Sequence, residues 1–411
     1  MLAGGASADV KVKDVLKTYA DIARAGYEDS LKTSEALKTS VAALIETPSE
    51  ETLKSAKAAW LAARVPYQQT EVYRFGNSIV DDWEGKVNAW PLDEGLIDYV
   101  DANYGAESDE NELYVANVIA NKKLKLSGKT IDTSKITKTL ISEKLQEAGG
   151  VESNVATGYH AVEFLLWGQD TNGTAAGAGK RPATDFDVKN CTGGNCDRRA
   201  EYLKVATDLL IDDLKFMVGQ WGAKGKARAY VMKSDNAGLV VIFTGLGSLS
   251  YGELAGERMK LGLMIHDPEE EHDCFSDNTH NSHYYDIVGM KNVFTGRYVR
   301  VDGTEVSGPS PYDVVKAKSG GVADELKARL DDTLAAAEAM KKRAEGGEAY
   351  DQMIGEGNAE GNAVVQKVID GLTTQTKSIE RAVAALKLKA MEFEGSDSLD
   401  NPQKVTEEQK G

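Results

Sequence analysis

Residues 10–45 read VKVKDVLKTYADIARAGYEDSLKTSEALKTSVAALI. Val12, Val15, Leu16, Tyr19, Ile22 and Ala23 recur near a helical period, with lysine and aspartate between them. The pattern predicts a long amphipathic helix. In the TPSEET that follows, Ser49 is an N-cap and Thr52 sits at the third helical position. The next helix is expected to run to about Phe75, stopped by Gly76-Asn77 and kinked by Pro66. From Asn77 to about Thr133, turn residues interrupt short apolar pieces such as WPLDEGLIDYVDANYG. That segment predicts an irregular excursion with short helices and a small hairpin. Helix is expected again over Lys135–Ala148, Glu152–Trp167 and Arg198–Val218, where Tyr202, Val205, Ala206, Leu209, Leu210, Leu214 and Met217 form the apolar stripe. Beyond GQWGAKGKARAYVMKSD, helices are expected over Ala237–Met264, from Lys316 or Gly321 to Lys342, and from Ala359 to about Phe393. His266–Gly308 reads as a polar loop.

Strand-like runs are scarce, so the expected class is all-α. The expected architecture is two domains resembling four-helix bundles, over residues 1–220 and 221–411. A pseudo-repeat is suggested by Gly158-Tyr-His-Ala-Val-Glu163 and Gly252-Glu-Leu-Ala-Gly-Glu257, which share Gly, Ala and Glu in register; chance among alanine-rich helices produces the same match.

With 411 residues, 41% of them hydrophobic, the chain has material for sizeable cores. The formal charge is −17, with 65 acidic against 48 basic residues. Nucleic acid binding needs a positive footprint, so nucleic acid is not an expected partner. Cations suit the balance better, as does plain solubility. No apolar run approaches the ~20 residues of a membrane span. The opening MLAGGASADVKVK has neither the basic n-region nor the apolar core of a secretory signal. It reads as a cytosolic start, or as a mature chain whose signal was replaced by Met1. The tail GSDSLDNPQKVTEEQKG is expected to fray. Cys191 and Cys196 flank the turn Thr192-Gly193-Gly194-Asn195, and read as a disulfide or as two free thiols. A bridge would imply an oxidising compartment. Cys274 is left unpaired.

Of five histidines, four fall within HDPEEEHDCFSDNTHNSHYYD, residues 266–286: His266, His272, His280 and His283. Seven carboxylates share that stretch. Mixed nitrogen and oxygen donors suit iron, zinc or manganese more than calcium; the stretch also reads as a solvated acidic loop. His160 and Glu163 lie one helical turn apart in apolar GYHAVEFLLW. Such a pair either serves a cation or is a buried hydrogen-bonded couple. Tyr67, Glu71 and Arg74 share a helical face, where Glu71 reads as a ligand or as half of a surface ion pair. Asp93 and Asp98 read as loop ligands or as caps. There is no His-Glu-x-x-His, no Gly-x-Ser-x-Gly and no P-loop.

At GYHAVEFLLWGQD the chain resembles the imelysin family, also called peptidase family M75, whose signature Gly-x-His-x-x-Glu is matched by Gly158, His160 and Glu163. ARVPYQQTEVYRFG, GELAGERM and EEEHDCFSDNTHNSHYYD are similar to the same family, and the last two, with NCTGGNC, to its iron-regulated protein A branch. The resemblance spans about residues 10–390. It implies two four-helix bundles, export to the periplasm or outer membrane, and an association with iron acquisition. By analogy with a periplasmic ferrous-iron uptake component, it implies His160, Glu163, Glu71 and Asp93 as metal ligands. Glu257, Asp277 and His280 would be added by the second domain or close a second site, with Tyr67, Arg74 and Arg258 as supporting side chains. The expected function is therefore an exported metal-binding protein of iron uptake or homeostasis, with iron as the ion and zinc as the alternative. Membrane-bound iron-uptake components are the partners this implies. The alternative function is a metal-dependent peptidase.

Overall fold

The computed structural model describes residues 10–389 and 391–408; the Met1–Ala8 opening lies outside them. The class is all-α, as the periodicity predicts, with only two small hairpins among the described residues.

Helix α1 spans Val12–Glu46 and buries Val15, Leu16, Tyr19, Ile22, Ala23, Leu37, Val41 and Leu44 along one stripe. Helix α2, Glu50–Gln68, starts at the Ser49–Thr52 capping box. It ends two residues after Pro66, seven short of the expected Phe75. Beyond it Glu71–Tyr73 forms a single tight turn. Helix α3, Ser78–Glu84, opens the irregular excursion, whose expected hairpin pairs Lys123–Leu126 with Lys129–Asp132. Within the excursion Asp98 binds Arg181 at 2.7 Å and Arg199 at 2.6 Å in the core.

The helix expected over Lys135–Ala148 shrinks to α4, Lys138–Leu140, and one wide turn over Ile141–Leu145. Gly149 and Gly150 then take positive φ. Helix α5 starts at Gly158, not Glu152, and runs to Trp167 with all ten residues buried. Gly158 has φ +80°, and a Cβ there would lie 2.4 Å from the Val87 carbonyl oxygen. Helix α6, Cys196–Gln220, follows the Cys191–Cys196 disulfide, which the structure forms. Cys274 stays free.

After α7, Lys226–Val231, the expected apolar helix is longer than its pattern. It runs as α8 (Asp235–Ser248), a π-wound stretch (Leu249–Lys260) and α9 (Leu261–Ile265). By length and composition this 31-residue helix could cross a membrane, but 72% of its most apolar window is buried inside the protein. The chain segment at Phe393–Ser396 lies against Gly247, Gly252 and Gly256 of this helix. The tail is therefore seated rather than frayed there, and continues as α15, Asp397–Asp400, and α16, Pro402–Glu408.

The polar stretch expected to be a loop contains helix α10, Thr279–Thr295. Its polar residues hid it: His280, His283 and Asp286 face inward. Helices α11 (Pro311–Lys318), α12 (Gly320–Glu345), α13 (Tyr350–Ile354) and α14 (Ala359–Ala385) complete the chain order before the tail. Helix α1 packs on α2 and α6, α12 on α14 and α10, and α10 and α5 both pack on α2. Thus α2, α5 and the approach to α10 converge.

Because Gly158 combines a left-handed φ with backbone contact at Val87, alanine there must strain or displace the start of α5. Gly158→Ala should cost at least ~2 kcal/mol, read as a lowered urea midpoint.

Candidate metal centre

Helix α5 carries His160 and Glu163, 1% and 0% exposed. Their spacing makes them meet: His160 Nδ1 and Glu163 Oε2 are 2.9 Å apart. The other Glu163 oxygen accepts from Ser276 N at 3.0 Å and Ser276 Oγ at 2.6 Å. Both carboxylate oxygens are thus committed. His160 Nε2 is buried with no hydrogen-bond partner. In the Nδ1–H tautomer, with Glu163 accepting, that nitrogen presents a lone pair to the interior.

The pair is not alone. His272 and Asp273, from the segment between α9 and α10, bring one donor atom each to within 4.8 Å of each other and of His160. The segment is fixed on both sides. Trp90 Nε1 donates to the Glu271 carbonyl at 2.6 Å, and Asp273 N donates to Thr279 Oγ1 at 2.9 Å. The His160 and His272 rings meet edge to face, with centroids 4.8 Å apart.

Arg64, on α2, anchors Asp273. Its Nη2 lies 2.8 Å from Asp273 Oδ1, and its Nη1 donates to Asn88 Oδ1 at 2.6 Å. The guanidinium lies over Tyr159, Trp60 and Tyr67, 5.0, 5.5 and 5.6 Å from the ring centres. Asp273 Oδ2 also accepts from Asn278 at 2.7 Å and Ser282 at 2.5 Å. Burial pushes the Asp273 carboxyl up, but Arg64 and His272 outweigh it and hold it well below the usual range. Burial, with Arg64, drops His160 to about 3; burial, with Arg258, drops His272 well below its ordinary value. Both imidazoles are therefore neutral, as ligation requires. Burial and the nearby Asp273 push Glu163 the opposite way, well above the usual carboxylate range.

The other expected ligands lie elsewhere. Glu71 Oε2 is 2.7 Å from Arg258 Nη2. Arg258 also binds Glu253 at 2.7 Å and Asp286 at 3.3 Å, so three acids neutralise it. Asp93 accepts from Asn111 at 2.6 Å and Ser153 at 2.8 Å. His280 Nε2 lies 3.0 Å from the Asn281 side chain, its Nδ1 unpartnered. Asp277 takes φ +55°. Arg74 binds Asp81 at 2.8 Å and Glu253 at 3.1 Å. Tyr67 supports Arg64.

Glu257 is exposed and lines an open cavity of about 420 Å³ that reaches His272 and Arg258. Six glutamates line it: Glu84, Glu147, Glu152, Glu253, Glu257 and Glu270. Arg74 and Arg258 line it too, so carboxylates outnumber cationic side chains there six to two, and such an excess draws in cations.

Sequence reasoning missed His272 and Asp273 as the partners of His160, and Arg64 and Asn88 as their supports. His272-Asp273 stood in the acidic stretch, but nothing in its spacing set them apart from Asp277 and His280.

The comparisons with known proteins agree with this geometry at the level of the fold. The family model described as Imelysin, peptidase family M75, matches residues 23–379. A solved structure of an iron-regulated protein A precursor from Parabacteroides distasonis aligns with TM-score 0.64 at 19% identity, covering 92% of this chain and 97% of that one. An imelysin-like protein from Psychrobacter arcticum aligns with TM-score 0.59 at 16% identity, covering 93% and 99%. Among curated proteins, none matches the chain.

Removing Arg64 leaves Asp273 buried and unpaired, so Arg64→Ala should lower unfolding free energy by about 3–5 kcal/mol. Asp273→Ala in that background should cost much less than it does alone; urea unfolding of the four proteins gives the cycle. His283 sets a pH dependence: burial, with Arg258, lowers it from its ordinary 6.5 to about 3. The unfolded chain takes up that proton first, so the stabilisation is fully present above the unfolded value and drains as pH falls towards 3. The His283 ring signals should accordingly stay fixed between pH 5 and 8 in NMR titration.

Proposed function

The chain belongs to the imelysin family, and on that premise we propose that it is an exported metal-binding protein of iron uptake or homeostasis. The ion is held by His160 Nε2, His272 and Asp273. One observation carries the reading: a buried histidine, its ring fixed by Glu163 and one of its nitrogens left without a partner, brings a donor atom within 4.8 Å of donors from a second histidine and a carboxylate. Two histidines and one carboxylate form the donor set of non-haem ferrous iron, and also of zinc sites with an open position. In this reading Glu163 orients His160 rather than touching the ion.

The ion sits where the two bundles expected on either side of residues 220 and 221 meet, since His160 comes from the first and His272 and Asp273 from the second. The glutamate-lined cavity supplies the approach. Export is supported by the Cys191–Cys196 bridge, a feature of oxidising compartments. The name of the Parabacteroides relative supports iron over zinc. Peptidase chemistry would need a general base beside the ion: Glu163 is engaged by the His160 ring and by Ser276, and Asp273, held well below the usual range by Arg64, suits a ligand and not a proton acceptor. Binding is therefore favoured over hydrolysis.

The test is anaerobic titration calorimetry with ferrous iron, and separately with zinc. Wild type should bind one ion at this centre, and His160→Ala should abolish that site. Glu163→Gln keeps the ligand but weakens its orientation, and should cost about 10–100-fold in affinity. Unchanged binding by His160→Ala would reject the assignment.

A further inference from the structure

A second group of acids lies outside that centre. A closed-in cavity of about 20 Å³ is lined by Glu94, Asp170, Glu269, Glu271 and Asp351, together with Cys274. Its volume is that of a single water or a bare ion of similar size. Among the described residues, no Lys, Arg or His lines it. Two of the acids point to a ligand. Glu271 is 1% exposed and its Oε1 has no partner, although its Oε2 accepts from Thr279 at 2.8 Å. Asp351 is 2% exposed, and neither of its carboxylate oxygens has a partner. Buried carboxylate oxygens without donors are costly, and several around one cavity add mutual repulsion. Burial, aggravated by the neighbouring acids, pushes Glu269 up to about 8, and burial pushes Glu94 up to about 7.

We propose that this cavity is a binding site for a hard divalent cation of calcium size, held through oxygen alone. The chemistry selects the ion. The His160 centre offers imidazole nitrogen, which suits transition metals; this cavity offers carboxylates and no imidazole. The Cys274 thiol is a soft donor and a poor match for a hard cation. Among the described residues, the His160 trio is the one group of three such donors already drawn together tightly enough to hold an ion. The five carboxylates therefore surround the cavity without meeting, and must close on an ion. Calcium accepts such an irregular shell of six to eight oxygens, whereas magnesium demands a near-ideal octahedron. A bound ion would join four parts of the chain: the turn at Glu94, the loop at Asp170, the turn at Glu269–Glu271, and α13 at Asp351. Glu271 precedes His272, so occupancy would brace the segment that carries His272 and Asp273.

Thermal melting of the full chain tests this. Protein stripped with chelator receives calcium chloride, magnesium chloride or zinc chloride in separate melts. Calcium should raise Tm more than magnesium. The Glu94→Gln/Asp351→Asn double variant should melt higher than wild type without calcium, because repulsion is relieved, and should lose the calcium response. Asp351→Asn alone should weaken that response. His160→Ala should keep the response in full, which separates this site from the one above. Sensitised terbium luminescence gives a second readout, since Tyr104 and Tyr114 lie near Glu94; calcium should quench it by displacement in wild type, and the double variant should show none. No calcium response in wild type, a response that survives the double variant, or one that disappears in His160→Ala would overturn the proposal.

Discussion

One buried ion pair ties the two halves of the chain together at the His160 cluster. Arg64 on α2 and Asp273 ahead of α10 stand 209 residues apart in sequence, and their side chains are 1% and 0% exposed. Taking both charges out of water is expensive, and the attraction between them repays that cost only when every remaining donor and acceptor is satisfied. Here Asn88 takes one guanidinium nitrogen, Asn278 and Ser282 take one carboxylate oxygen, and three aromatic rings enclose the cation. The position of His272, next in sequence to Asp273, follows from this pair. So does the meeting of His160 with a partner from the other half of the chain.

The acidic balance of the sequence acquires a spatial meaning. Inside the protein, arginines are heavily matched: Arg258 by Glu71, Glu253 and Asp286, and Arg181 and Arg199 by Asp98. The surplus of negative charge is not spread evenly over the surface. Part of it lines the open cavity that reaches His272, and part surrounds the small cavity beside Glu271 and Asp351. Arginine is absent from the second and is present in the first only as Arg74 and Arg258, both already paired.

Long helices with a clean apolar stripe, such as α1, α6 and α14, were legible because burial follows period 3.6 with few exceptions. The capping box at Ser49 was legible for the same local reason. What escaped was decided by distant contacts. Residues 152–157 carry helix-compatible residues, yet Val87 approaches so closely that only Gly158 can begin the helix. Helix α10 escaped because its inward face is polar: His280, His283 and Asp286 look solvated in sequence and are buried in the fold. The His160–Glu163 couple could be read from spacing alone, being one turn of one helix. Its third and fourth companions could not, since His272 and Asp273 arrive from over a hundred residues away. Spacing also does not reveal the partners of Glu71 and Asp93, which are Arg258 for one and Asn111 with Ser153 for the other.

The depth of the His160 cluster has a kinetic consequence. Its donors are deeply buried, and the glutamate-lined cavity reaches only His272 among them, so the lifetime of a guest there is set by the free energy of local opening as well as by the strength of its bonds. The 267–278 segment lacks long helix, yet it carries Asp273, so opening it means parting the Arg64–Asp273 pair, and that pair sets the height of the barrier.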